Sequence, residues 1–198
     1  MVNRVPLATA WHPFWRDSPL HRLFGRSAPD TPPLRLGQRR LYILPTRFGW
    51  SYALLLTGLM IASANYGISL GYLFTFLLAS VGMLAMFHTQ RNLSGLLLSP
   101  GRPAPVFLGE TAVLPLVIDN PSRLARHALA LRAGGDTVHC DVAAHTRGGT
   151  GVPVPTMRRG LCPVGRLTLA STWPLGLFRC WSVFEFDCQI VVYPRPSD

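Results

Sequence analysis

From Phe48 to Gln90 the chain carries no Asp, Glu, Lys or Arg, an uncharged run of 43 residues. One membrane span takes about 20 apolar residues, so the run is long enough for two. Asn65-Tyr66-Gly67 divides it with the polar, aromatic and glycine residues of a tight turn at a membrane interface. The expected helices cover 48–64 and 68–87, about 26 and 30 Å at about 1.5 Å per residue, against roughly 30 Å of hydrocarbon. Arg47 and Trp50 mark the entry, Asn65 and Tyr66 the far interface, and His88, Gln90 and Arg91 the exit. The sequence therefore predicts a transmembrane helical hairpin within 41–90 that returns the chain to its starting side. A buried hairpin of a soluble protein is disfavoured, because the remaining chain is too short to wrap two uncharged helices. A cleavable signal peptide is disfavoured because the run is double the usual length and some 47 residues precede it.

Composition supports this division. Only 14% of residues are charged while 48% are hydrophobic, and soluble domains usually carry about 25% charged residues. All basic residues are arginine, with a net charge of +10, which excludes Schiff-base, phosphate-loop and kinase lysines. Ahead of residue 48, Arg4, Arg16, Arg22, Arg26, Arg35, Arg39, Arg40 and Arg47 face only Asp17 and Asp30. Arginine excess beside an apolar segment marks a cytoplasmic flank, so the expected location is the inner (cytoplasmic) membrane with both termini cytoplasmic and the lipid bilayer as partner. No nucleic acid is expected, since a recognisable fold or a basic patch interleaved with stacking aromatics is missing. The leader over 1–40 is rich in proline and arginine and is expected to be disordered. Trp11, Phe14 and Trp15 could rest on a membrane surface, although Pro6, Pro13 and Pro19 oppose a long amphipathic helix.

Beyond Arg91 the pattern becomes short Val-, Leu- and Thr-rich runs separated by Pro and Gly, the signature of an antiparallel β-sandwich over 91–198. Expected strands are Leu93–Leu98, Thr111–Asp119, Ala128–Arg132, Thr137–Ala143, Gly151–Thr156, Arg166–Ser171, Cys180–Phe186 and Gln189–Tyr193. Pro115 should place its strand at an edge or mark a bulge. The fold class is an α+β membrane protein, a two-helix transmembrane hairpin followed by an antiparallel immunoglobulin-like β-sandwich, with a small barrel as the open alternative.

Few residues suggest chemistry. Gly67-Ile68-Ser69-Leu70-Gly71 fits the G-x-S-x-G pattern, but a nucleophile elbow needs a preceding strand, and Ser69 with a base such as His88 would sit at the opposite membrane face from it. Gly67 and Gly71 instead form a small-xxx-small pair that lets helices approach closely. Cys140, Cys162, Cys180 and Cys188 contain no C-x-x-C pair and read as buried thiols. Strand alternation sets His139 and Cys140 on opposite faces, so a metal shared with His145 is not expected. Gly148-Gly149-Thr150-Gly151 lacks the lysine and helix of a phosphate loop and reads as a hairpin turn. Arg158-Arg159-Gly160 reads either as an anion-docking patch or as an exposed glycine bend. No cofactor, metal or catalytic residue is expected.

Several stretches together resemble the amino-terminal half of the bacterial family called domain of unknown function 58. They are Pro45-Thr46-Arg47-Phe48-Gly49, Asn65-Tyr66, Leu70-Gly71-Tyr72-Leu73, His88-Thr89-Gln90-Arg91-Asn92-Leu93 with Gly95-Leu96, Arg158-Arg159-Gly160, Ser171-Thr172-Trp173-Pro174-Leu175-Gly176-Leu177-Phe178 and Val192-Tyr193-Pro194-Arg195-Pro196. The resemblance implies a membrane anchor with a sandwich domain, and a non-enzymatic scaffold or adaptor beside a MoxR-type ATPase and a transglutaminase-like membrane protein. Arg158, Arg159, Gly160, Pro174, Gly176 and Phe178 are then the candidate protein-docking residues. The family's von Willebrand A-like region, with its Asp-x-Ser-x-Ser metal cluster, has no counterpart here, so a shortened gene product, split gene or fragment is expected. The alternatives are an intramembrane serine hydrolase or an inactive remnant.

Overall fold

The computed structural model describes residues 29–156 and 158–194, and within them two helices stand on a body of three β-sheets. Strand β1 (Leu34–Arg35), one 3-10 turn (Gln38–Arg40) and β2 (Tyr42–Pro45) lead into helix α1 (Arg47–Tyr66) and helix α2 (Ser69–Leu93). There follow β3 (Leu97–Pro100), β4 (Val106–Phe107), β5 (Thr111–Asn120), β6 (Arg126–Arg132), β7 (Thr137–Val142) and β8 (Thr146–Pro155). The chain ends in β9 (Gly160–Pro163), β10 (Arg166–Ser171), β11 (Phe178–Glu185) and β12 (Gln189–Tyr193). The sheets have the orders β1-β3-β5-β8, β2-β11-β10-β6-β7 and β4-β12-β9.

Alternation builds the core. Along β5, Ala112, Leu114, Leu116 and Ile118 point inward while Val113 stays half exposed, as a strand with one wet face requires. They join Leu129 and Leu131 of β6, Leu167 and Leu169 of β10, and Ile190 and Val192 of β12 in one apolar cluster. Leu34 and Leu36 before the helices, Leu93 at the end of α2 and Leu96 after it complete it. The two segments are tied together by backbone bonds from Leu36 to the Leu96 carbonyl and from Gly95 to the Leu36 carbonyl, both 2.9 Å. The helices are thus an excursion from a β body that closes beneath them.

This architecture corrects the expected fold class. In place of an immunoglobulin-like sandwich of two antiparallel sheets there are three sheets, and β4 and β12 pair in parallel. A two-helix transmembrane hairpin is not what the helices show: α2 alone is long and apolar enough to cross a membrane. In α1 the side chains of Trp50, Ser51, Tyr52, Thr57, Ser63 and Asn65 dilute the apolar run. Both helices outrun the expected bounds. Thr46 caps the first, its Oγ1 accepting from the Gly49 N–H at 3.2 Å, and the second continues through Leu93, which had been expected to open a strand.

Other differences are local. Leu34–Arg35 and Tyr42–Pro45, expected in the leader and at the mouth of the helices, are strands of the body. The leader over 1–28 and the final Arg195 and Pro196 lie outside the described residues. Pro115 is in an interior strand, between β3 and β8. It is tolerated because β3 ends at Pro100, so the side toward which a Pro115 N–H would point no longer carries the ladder, and the Pro115 carbonyl accepts from Gly101 at 2.7 Å. Gly148-Gly149-Thr150-Gly151 is no turn but the middle of β8, paired with Ile118 through Pro115. A side chain at 151 would meet Val113 Cγ1 at 2.6 Å.

The buried Ser182 hydroxyl has no hydrogen-bond partner among the described residues and lies opposite Leu169 in the β10–β11 register. Ser182→Ala is therefore expected to raise stability by about 1 kcal/mol, whereas Leu169→Ala should lower it by about 2–5 kcal/mol. Denaturant unfolding of the two variants checks the opposite signs.

Candidate functional site

The helix pair is built inside out. Leu70, Leu73, Phe74, Phe76, Leu77, Met83, Leu84 and Phe87 of α2 are each more than half exposed, as are Phe48, Trp50, Leu54, Leu55 and Ile61 of α1. In water every such Leu or Phe forgoes a large part of the about 1.5–3 kcal/mol that full burial would give. Apart from Leu93, which ends α2 inside the core of the body, the buried residues of the pair are small or polar: Gly49, Ser63, Thr75, Gly82, Ala85, Thr89 and Asn92. Of the most apolar stretch of α2, 17% is buried, unlike the core helix of a soluble domain.

Close approach explains the small residues. A Cβ at Gly71 would lie 2.3 Å from Ser63 Oγ, and one at Gly82 would lie 3.1 Å from the Tyr52 ring. Gly67, expected to share this role with Gly71, caps α1 in the left-handed conformation at φ +62° with open space around it. The hydroxyls are internally satisfied: Ser63 donates to the Leu59 carbonyl, Thr75 to Gly71 and Thr89 to Ala85 at 2.7–2.8 Å. Tyr52 donates across the pair to the Leu78 carbonyl at 2.6 Å. Internal satisfaction of polar groups is what an apolar solvent demands.

Where the pair meets the body, a polar seam surrounds a large apolar anchor, Leu93. At the start of α1, the Thr46 N–H donates to the Leu177 carbonyl at 2.8 Å and Thr46 Oγ1 donates to the Gly176 carbonyl at 2.5 Å. Gly49 sits so tightly on the same loop that an added Cβ would be 2.2 Å from the Leu177 oxygen. At the end of α2, Asn92 Nδ2 donates to the His127 carbonyl and to Ser171 Oγ, each at 2.8 Å, and Asn92 Oδ1 accepts from the His127 N–H at 3.2 Å.

Arg126 finishes the seam. Its buried guanidinium donates to the carbonyls of Arg91 and Ser94 and, at 3.4 Å, to Asn120 Oδ1. A cation at the carbonyl end of a helix is favoured by the helix dipole. Burial, and then the neighbouring Arg91 charge, lower its pKa from the ordinary arginine value. A bulge aims it there. The β6–β7 register shifts between Arg126 and Leu129, and Ala128 takes φ +51° with its N–H on Asp141 Oδ1 at 2.6 Å. The extra residue turns both Arg126 and Leu129 inward, which unbroken alternation forbids.

The sequence-predicted residues separate accordingly. Arg47, Trp50 and Arg91 lie at the body end of the helices and Asn65 and Tyr66 at the distal turn. Gly176 and its neighbour Leu177 receive α1, while Pro174 is exposed and Phe178, half-buried, opens β11. Arg158 and Arg159 are exposed at the bend before β9, in the separate three-stranded sheet, and Gly160 has φ +99°. Ser69 opens α2, after a helix and not a strand, and His88 is about 28 Å along the same helix, too far for proton transfer within one molecule. Among the described residues no three His, Cys, Asp or Glu side chains could hold a metal. The sequence reading missed Arg126 and His127, and it had Ser171 only within a family-like stretch. His127 carries its ring beside Trp173 at 5.4 Å, and His88 approaches Trp173 at 6.4 Å.

No family model matches the chain, and no curated protein is found as a relative. The resemblance to the domain of unknown function 58 family therefore rests on its motif stretches.

Gly49→Ala should weaken the seat of α1 and lower Tm, whereas Gly58→Ala, with nothing within 4 Å, should be neutral or up to about 1 kcal/mol stabilising. Ala128→Gly should stabilise by about 1 kcal/mol through relief at positive φ, measured by the same thermal unfolding. Burial pushes the Cys140 and Cys180 thiols up to about 11, with Asp141 adding to the first. Cys140, only half-buried, should alkylate slowly at pH 8 and faster as pH rises toward 11, as peptide mapping after timed labelling would record.

Proposed function

We propose that this protein is a membrane-attached, non-enzymatic scaffold whose β body docks a protein partner at the membrane face. The observation that carries the attachment is the inverted helix pair, with bulky apolar side chains outside and small or hydroxylated ones within. Helix α2 is the crossing element, about 37 Å long by its 25 residues. Arg47 and Arg91 at the body end, with Arg39 and Arg40 beside β2, favour the cytoplasmic side of an inner membrane for the body. Exposed Arg158 and Arg159 supply a cationic patch for docking, and the family resemblance makes a MoxR-type ATPase the first partner to test, a transglutaminase-like membrane protein the second.

Carbonate-washed membranes should retain the full chain, and its appearance in the supernatant without detergent would end the attachment reading. Leu77→Arg, on the outer face of α2, is expected to cost about 2.5–3.5 kcal/mol of insertion and to reduce the retained fraction. Pulldown from native membranes should recover the ATPase, less of it with Arg158→Glu/Arg159→Glu; no ATPase or membrane protein in the eluate would sink the scaffold reading.

A further inference from the structure

Beside the seam lies a pocket of about 190 Å³, lined by His88, Arg91, Asn92, Arg126, His127 and Trp173 together with two apolar residues. Among the described residues no carboxylate lines it. Arg91 is exposed, and its guanidinium has no hydrogen-bond or ion-pair partner among the described residues. Arg126 uses part of its fork on the carbonyls that end α2, so the negative pole of that helix is already answered. Each imidazole supplies at least one N–H in either tautomer, and the indole of Trp173 can only donate. The wall is therefore rich in donors and cations, and it lies at the level where α2 leaves the apolar zone.

We propose that this pocket seats the phosphate of an anionic lipid headgroup. Charge-assisted bonds from arginine match a phosphate oxyanion, and Trp173 is amphipathic in the way that suits the headgroup region. The lipid source, and not free phosphate, follows from the neighbours: Phe87, next to His88 on α2, and Leu124 in the pocket wall are exposed apolar groups able to take the acyl chains. The proposal rests on the attachment reading above for its location, but not for its chemistry.

The purified full chain in zwitterionic micelles is titrated with short-chain phosphatidylglycerol, short-chain phosphatidylcholine and inorganic phosphate, following Tm. Binding to the folded state raises Tm by mass action. Phosphatidylglycerol should raise it at concentrations where the other two do not. Arg91→Gln, which leaves every seam bond intact, should shift half-saturation about tenfold. Arg47→Gln, at the same end of the helices but outside the pocket, should leave it unchanged. Equal response to both lipids, or an unaltered curve in Arg91→Gln, overturns the site. An equal response to inorganic phosphate overturns the lipid assignment. Wild-type chain that stays in carbonate-washed membranes without phosphatidylglycerol preference refutes the pocket alone, while release from those membranes refutes attachment and leaves the micelle titration to decide phosphate binding.

Discussion

A helix leaves its last carbonyls without partners, and at the end of α2 those carbonyls sit in a part-buried junction with the body. Arg126 answers for Arg91 and Ser94, and Asn92 ties the last turn to His127 and Ser171. Taking a guanidinium out of water is expensive. It persists here because carbonyl and amide oxygens surround it and the helix pole favours it. Thr46 and Gly49 fix the other helix on the Gly176–Leu177 carbonyls. Two short polar attachments, together with Leu93 seated in the apolar core, therefore set the direction in which the helices leave the body.

The body and the helices follow opposite patterns. In the body, alternation sends Leu114, Leu116, Leu167 and Leu169 inward and leaves polar or small groups outside. In the helices, hydroxyls turn back onto their own i−4 carbonyls and glycines sit where the backbones approach. The second pattern would waste apolar surface in water, and the first would leave unmet polar groups in lipid. The change between them falls at Pro45–Thr46 and at Leu93–Ser94, where the seam lies.

How far this was legible depended on length and on regularity. The long alternating runs at 111–119, 166–171, 180–186 and 189–193 overlap strands, because period-two burial is written directly in residue type. Strands β1, β2, β4 and β9 have only two to four residues, too few for any period to show. Glycines 148–151 misled because glycine signals turns, while here it makes room beside Pro115 and Val113. Arg126 was hidden for a different reason. Counting back from Leu131 and Leu129 puts it on the wet face, and the bulge at Ala128 reverses that. The motifs holding Thr46, Asn92, Ser171 and Gly176 were visible, but that they meet in one seam depends on β2 pairing with β11 and β6 with β10.

The placement of the attachments has a mechanical consequence. Helix contacts fall chiefly on β2, β6, β10 and β11, all members of the five-stranded sheet. A tilt of α1 would act on β2, and a tilt of α2 on β11 first and then on β6 and β10, so both helices load the same sheet. The three-stranded sheet carries Arg158 and Arg159 at its margin and exposes Leu161, Val191 and Tyr193. Because Val191 lies opposite Leu161 and Tyr193 is two residues along β12, the three share one face. A partner docked on that face would pull on a sheet that the helices do not hold directly. A load on that face would reach the helices through the common leucine core, whose close packing transmits strain with little give.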